Sequence, residues 1–374
     1  MRQSEALLAW FDRHRRDLPW RRSRDPYAIW LSEVMLQQTR VETVLPYYTR
    51  FLARFPTLEA LAAAPVEEVL AHWSGLGYYR RARQLHAAAQ RIAGSGAGFP
   101  STLDGLLALP GIGVYTAAAV ASIAFGVPAP VLDGNVERVL ARQLALAGDV
   151  KGSAARKRLL AAAAELLDPA RPGDSNQAMM ELGATLCSPR RPKCLLCPLA
   201  AGCRALATGD PERFPAAREK RETERRSLVV AVVESAAGVL LFRRPDDSEL
   251  LAGTWELPWV PAEAADPAAA LAERYGGRWR LGPRVAAVRH GITYRDLAVG
   301  VHRARLERVG GEVREGVPEA GWFDERGRAS LPLSSLVGKV LKKLPATDGE
   351  LSPPTSPPAA GGRSARRSPS RRRG

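Results

Sequence analysis

The residue texture of the chain changes once, and that change limits the fold more than any other feature. Residues 1–207 carry apolar side chains at helical spacing. Leu7, Trp10, Phe11 and His14 share one face of a first helix that Ser4 is placed to cap. Asp25 and Pro26 open a second, YAIWLSEVMLQQT, with Asp as cap and Pro at the first helical position. Further helical stretches run from VETVLPYYTRFLARF to SNQAMMELGATLC, joined by short loops. Residues 208–227 are charged, almost free of aliphatics, and read as a linker. Beyond them SLVVAVVES, GVLLFRRP, RVAAVRH, LAVGVHRARLE and GWFDE are short, β-branched-rich and separated by Gly, Pro and Asp, which is strand patterning. DPAAALAERYG is one helix among them. The expected fold is multidomain: an all-α domain over 1–207, the linker, an α+β domain over 228–344, and a Pro/Ser- then Arg-rich tail over 345–374 whose composition predicts disorder.

Charge narrows the partner. Lys plus Arg number 54 against 39 Asp plus Glu, a formal net charge of +15. Enzymes of small neutral metabolites seldom need such an excess; an acidic polymer does, and nucleic acid precedes membrane. Residues 1–20 are charged throughout, so no secretory signal is read there, and a cytoplasmic, nucleoid-associated monomer is expected. The uncharged stretch Gly105–Leu132 is long enough to span a bilayer. Pro110, Gly111, Gly113, Gly126, Pro128 and Pro130 break it, which predicts two buried helical pieces around a turn.

Four features carry chemistry. LPGIG at 109–113 lies between two helical stretches, so a tight turn at Gly111 and Gly113 leaves the amides of the next helix free for a phosphate. Glu33 lies among apolar neighbours in IWLSEVML, where a carboxylate is either paired for structural reasons or kept protonated with a raised pKa. Asp133, before Gly134 and Asn135, reads as a helix cap or as the anionic partner of that acid. The chain's four cysteines, Cys187, Cys194, Cys197 and Cys203, lie within 17 residues. Their clustering speaks for a metal site, and the spacing suits tetrahedral zinc or a [4Fe–4S] cluster.

LPGIGVYTAAAV followed by VLDGNVERVL resembles the helix-hairpin-helix DNA glycosylases of the endonuclease III superfamily. SEVMLQQTRVETVLPYY (32–48), GLGYYRRARQLH (75–86) and NQAMMELGATLC (176–187) are similar to its MutY-type adenine glycosylase branch. The resemblance implies an all-α helix-hairpin-helix domain with a [4Fe–4S] loop at the cysteines, acting on double-stranded DNA that holds adenine opposite 8-oxoguanine or G. It implies Glu33 as the acid that protonates adenine N7, Asp133 as the carboxylate facing the sugar, and Asn135 as its holder. Tyr115 stands where lyase-active relatives carry a Schiff-base Lys, which implies a monofunctional enzyme. Arg21 and Gln177 match residues of the adenine pocket; Gln38 and Tyr78 match residues that push into the duplex.

The second domain resembles the Nudix-like module of the same family, through AGTWELP (252–258). Residues 259–281 lack the Glu-rich helix that a nucleotide-hydrolysing relative needs for Mg²⁺, so a recognition module is expected. His290 and the triplet Ile292-Thr293-Tyr294 match the segment that touches 8-oxoguanine, with Tyr294 where a His is usual. Three rival functions are a bifunctional glycosylase/lyase for oxidised pyrimidines, opposed by Tyr115 and the second domain, a non-catalytic DNA-binding protein, opposed by the Glu33–Asp133 pair, and a Nudix hydrolase, opposed by the missing metal helix.

Overall fold

In the computed structural model, which describes residues 2–216, 222–307 and 318–345, helix follows helix through the first part of the chain. These are α1 (Gln3–His14), α2 (Pro26–Leu36), α3 (Val41–Arg54), α4 (Leu58–Ala63), α5 (Val66–Trp73), α6 (Tyr79–Ser95), α7 (Leu103–Leu107), α8 (Val114–Phe125), α9 (Gly134–Gln143), α10 (Ser153–Glu165), α11 (Pro172–Thr185) and α12 (Arg204–Ala207). Two compact units result, Met1–Val69 with Arg81–Lys220 and Leu70–Arg80 with Arg221–Gly374. The short segment that carries Tyr78 therefore groups with the second unit, although the sequence places it among the helices of the first.

Caps explain where the site-bearing helices start. Asp25 accepts from the Tyr27 amide at 3.0 Å and Pro26 takes the first helical position of α2, as the sequence predicts. Ser4 does not cap α1. That helix begins at Gln3, and Glu5 Oε2 accepts from the Arg2 amide at 3.0 Å, so the capping carboxylate comes from inside the first turn. α2 is buried from Tyr27 to Met35 on every side, and α8 from Thr116 to Ser122. This accounts for the uncharged stretch: α7 and α8 flank a turn at Gly111, and no helix among the described residues is long and apolar enough to cross a membrane. α8, α9, α10 and α11 close over one core of Ala118, Val136, Val139, Leu140, Leu159, Ala178 and Leu182.

The second unit holds two small sheets. One has the order β5 (Trp259–Pro261), β1 (Glu224–Val232), β7 (Arg295–Glu307), β6 (Arg278–Ile292), with β1 and β7 parallel. The other joins β2 (Glu234–Ser235), β3 (Gly238–Arg243) and β4 (Trp255–Glu256), with β8 (Ala320–Phe323) also on β3. Period-two alternation along β1 feeds two cores. Val230 and Val232 pack with Val337 and Val340 of α15 (Ser335–Leu341), while Ala231 packs with Leu271 and Tyr275 of α13 (Pro267–Tyr275). A short α14 (Glu325–Ala329) precedes α15. Strand β1 starts at Glu224, so the last four residues of the stretch expected to be linker, 224–227, are strand; they pair in parallel with Arg295–Ala298. The linker segment 217–221 and the tail from 346 onward lie outside the described residues.

Candidate active site

α2, α8, α9 and α11 surround a cavity of 730 Å³ in the first unit, lined by Glu33, Tyr115, Asp133, Asn135, Arg21 and Gln177, among others. Glu33 reaches it from the buried face of α2 and is 5% exposed. Tyr115, in the first turn of α8, donates its hydroxyl to Glu33 Oε2 at 2.7 Å and lies 3.1 Å from Met180 Sδ. Burial raises the Glu33 pKa to about 7, against the Tyr115 hydrogen bond that lowers it; the charge of Asp133 raises it further and Arg21 lowers it. A carboxyl group in that range holds its proton for part of the time at neutral pH and can donate it. Burial, then Glu33 and Asp133, push the Tyr115 phenol well above its ordinary value, so it stays a donor.

Asp133 caps α9 and also lines the cavity. Its Oδ1 accepts from the amides of Asn135 (3.0 Å) and Val136 (2.7 Å), while Oδ2 accepts from Asn135 Nδ2 at 2.9 Å. Burial raises its pKa, and the Val136 and Asn135 hydrogen bonds with the Arg138 charge pull it back. Asn135 is itself held: Arg138 Nη2 donates to its Oδ1 at 2.9 Å. Two carboxylates of unlike environment thus share one cavity, one desolvated and bonded by a phenol, the other bonded by amides.

In the same cavity Arg21 Nε donates to Gln177 Oε1 at 3.1 Å and Arg21 Nη2 to Glu181 Oε2 at 2.9 Å. Arg16 grips the same Glu181 through Nε (2.7 Å) and Nη2 (2.9 Å). Burial would raise the Glu181 pKa, but Arg16 and Arg21 outweigh it and hold it below its usual value. Glu181 is absent from the sequence reading. It follows Gln177 by four residues, one helical turn on, so the spacing alone could have put it on the same face.

The cysteines meet around a second, small pocket that also involves Val139 and Arg142. Arg142 is 2% exposed; its Nη1 donates to Cys187 Sγ at 3.2 Å and to the Ser188 carbonyl at 2.7 Å. Among the described residues, no three His, Cys, Asp or Glu side chains converge closely enough to hold one metal ion. All four cysteines line that pocket, and the buried Arg142 cation lies against one of the sulfurs.

The described sequence matches known families in two places. Residues 31–165 match the HhH-GPD superfamily of base excision DNA repair proteins, and 228–343 match the NUDIX domain. The human adenine DNA glycosylase is 38% identical over 404 residues, covering 90% of this chain and 73% of the human one. The chain belongs to the adenine DNA glycosylases. The rat glycosylase is 42% identical over 310 residues, and the chain spans 60% of its length. Among solved structures, a thermostable thymine-DNA glycosylase superposes with a TM-score of 0.50 at 31% identity, covering 55% of this chain and 95% of the other.

Of the residues that the glycosylase sequence points to, the first unit gathers Arg21, Glu33, Gln38, Tyr115, Asp133, Asn135 and Gln177 on one cavity. Gly111 has a φ of 73°, and a Cβ there would meet Gln84 Cβ at 2.6 Å, so the fold itself demands glycine. A Cβ on Gly113 would meet nothing within 4 Å, and no side chain caps the first turn of α8. Tyr78 is 46% exposed at the turn before α6. In the second unit Thr293 and Tyr294 form the tip of the β6–β7 hairpin. His290 does not join them at the surface: it is 6% exposed, on the inward face of β6 with Val288, and its Nε2 lies 3.5 Å from Ser335 Oγ. Alternation along the strand dictates this, since 288 and 290 must share a face.

Proposed function

We propose that this adenine DNA glycosylase removes adenine paired with 8-oxoguanine or with G by hydrolysing the N-glycosidic bond, and that it acts as a monomer on double-stranded DNA. The observation that carries the reading is the Tyr115–Glu33–Asp133 grouping in one cavity. Glu33 is the general acid: it gives its proton to N7 of the extruded adenine, which then leaves as the neutral base. Asp133 stabilises the oxocarbenium-like sugar that remains, or traps it covalently before water releases it. Asn135 orients that carboxylate. Tyr115 holds the acid in place; a phenol cannot form an imine, which supports monofunctional chemistry.

Arg21, steadied by Glu181, and Gln177 present donors and an acceptor to the purine edge. Gln38 and Tyr78 fill the space in the duplex that the base vacates. Both have left-handed backbones, φ 55° and 50°, as does Thr293 at 54°. Non-glycine residues adopt that region at a cost, and such strain gathers at functional sites. The bare face at Gly113 and the uncapped start of α8 receive a backbone phosphate. Cys187, Cys194, Cys197 and Cys203 hold a [4Fe–4S] cluster, whose part is to order the loop they bracket, with Arg190, Arg191 and Lys193 exposed on it for phosphate contact. Thr293 and Tyr294 read the base opposite adenine. The domain limits follow: a glycosylase domain over 1–207 and a recognition domain that begins with β1 at Glu224 and ends at 344.

Single-turnover excision from duplexes with A opposite 8-oxoguanine, G, C and T tests the reading. Fast release opposite 8-oxoguanine, slower release opposite G and little opposite C or T support it. Release of an oxidised pyrimidine with strand scission would replace it by the lyase alternative.

A further inference from the structure

Helix α11 meets its neighbours through glycine at two points. A Cβ on Gly173 would lie 2.7 Å from Ile123 Cα and from the Ser122 carbonyl oxygen. A Cβ on Gly183 would lie 2.7 Å from Asn135 Cβ, 2.9 Å from Asn135 O and 3.0 Å from Asn135 C. At both places the helix backbone rests directly on another backbone, an approach that only glycine permits. What lies beneath differs. Gly173 rests on the last turns of α8. Gly183 rests on the residue whose Nδ2 donates to Asp133 Oδ2 at 2.9 Å.

The Gly183 carbonyl engages the same residue by a second route. It accepts from Arg138 Nη2 at 2.7 Å, and that nitrogen also donates to Asn135 Oδ1 at 2.9 Å. Asn135 is thus fixed twice from one glycine, by close packing against its main chain and through Arg138 on its carboxamide. Asn176, about two turns before Gly183 on α11, ties down the approach to Asp133: its Oδ1 accepts from the Val131 amide at 3.2 Å and its Nδ2 donates to the Ala129 carbonyl at 2.8 Å.

We propose that Gly183 is a positioning residue for the Asp133 carboxylate: the bare surface of α11 at that point sets where Asn135 lies, and Asn135 sets the rotation of the carboxylate. This rests on the assignment of Asp133 to the sugar. A side chain at 183 must displace either α11 or the first turn of α9. α11 is buried along Ala178, Met179 and Leu182 and is anchored through the Arg16–Glu181 pair. The first turn of α9 is partly exposed at Asp133 and Asn135 and yields first. Asn135 Nδ2 then leaves Oδ2, the cap amides shift with it, and the carboxylate turns away from the position that faces the sugar.

The test uses the full chain with Gly183→Ala, Gly173→Ala, Asn135→Ala, the Gly183→Ala/Asn135→Ala pair and Asp133→Asn. Each is measured for melting temperature, duplex affinity and single-turnover adenine release. The two glycine variants face similar collisions, so their melting temperatures fall together. Only Gly183→Ala slows release, by about tenfold or more with duplex affinity within about threefold, because a small misplacement of a reacting group suffices for that. The paired variant is no more than about threefold slower than Asn135→Ala, since the two changes act through one contact. The proposal is overturned by a Gly183→Ala rate near wild type, by an equal slowing in Gly173→Ala, or by losses that multiply in the pair. If Gly183→Ala does not fold, Asn135→Gly/Gly183→Ala takes its place, because it removes the nearest colliding atom. A rate equal to Asn135→Gly alone supports the proposal, and a further loss of about tenfold refutes it. Asp133→Asn separates the two failures. Full activity there removes the Asp133 assignment; a large loss there beside an unchanged Gly183→Ala removes only the positioning role.

Discussion

Glu33 and Thr293 stand at two ends of a range of environments. Glu33 is 5% exposed, and its hydrogen-bond partner, Tyr115, comes from 82 residues away. Thr293 is exposed at a hairpin tip, and its hydroxyl donates to the carbonyl of the adjacent Ile292 at 2.7 Å. The cavity is built from long-range contacts in a desolvated core, so its chemistry is set before DNA arrives. The hairpin is built locally, its hydroxyl oxygen keeps free acceptor capacity, and its meaning depends on what it meets. Substitutions in the cavity are therefore expected to change rates by orders of magnitude, and those at the hairpin to change selectivity modestly.

The largest effect is expected at the acid itself. Glu33→Gln keeps an acceptor for the Tyr115 hydroxyl but has no carboxyl proton, so the single-turnover rate should fall by roughly 10²–10⁴ with duplex affinity little altered. A loss smaller than about threefold would return Glu33 to a structural role and erase the contrast.

The same substitution should stabilise the fold at alkaline pH. Burial raises the Glu33 pKa from 4.5 to about 7, so between those values the folded chain keeps a proton that the unfolded chain releases. That contribution to stability is full below the unfolded value and is lost as pH rises through the folded one. Gln does not titrate. Glu33→Gln should therefore unfold less readily than wild type at pH 8, by up to roughly 3 kcal/mol from a shift of this size, and the gap should close toward pH 5. Denaturant curves at both pH values measure it; a gap independent of pH would mean that Glu33 ionises freely.

Thr293→Ala should act more gently. A hydroxyl that accepts from N7–H of 8-oxoguanine contributes about 0.5–1.5 kcal/mol, a three- to tenfold share of the preference over G. Release rates opposite the two bases give the ratio directly. An unchanged ratio moves opposite-base recognition to Gln38 and Tyr78, and the two regions would then no longer divide the work.

The comparison also shows what a sequence can disclose. Asp25 with Pro26 and Asp133 with Asn135 are local signals, a cap beside the helix it starts, and both stand as caps in the structure. The Glu33–Tyr115 bond was invisible, because Tyr115 drew attention only as the absence of a lysine. Glu181 was missed although it lies one turn from Gln177, since no residue near it in the sequence hints at Arg16 and Arg21, which come from the other end of the unit. Strand β1 was started too late because Glu224, Arg225 and Arg226 look like linker. Their side chains are solvated while their backbones pair with β7, and charge reports on the former only. The family resemblance places His290 with Thr293 at the opposite base, whereas strand alternation turns its side chain inward.

The central claim is that the cavity keeps Glu33 as a neutral acid near pH 7. The pH dependence of single-turnover adenine release from a duplex with A opposite 8-oxoguanine tests it most directly. Protonated Glu33 with ionised Asp133 is the active form, so on the alkaline side the rate should fall through a limb centred near 7, where burial places the Glu33 pKa. Tyr115→Phe removes a hydrogen bond that favours the ionised form, so its limb should move to higher pH, by up to about one unit. A wild-type profile that is flat between pH 6 and 9, or a limb that Tyr115→Phe leaves in place, would contradict the account.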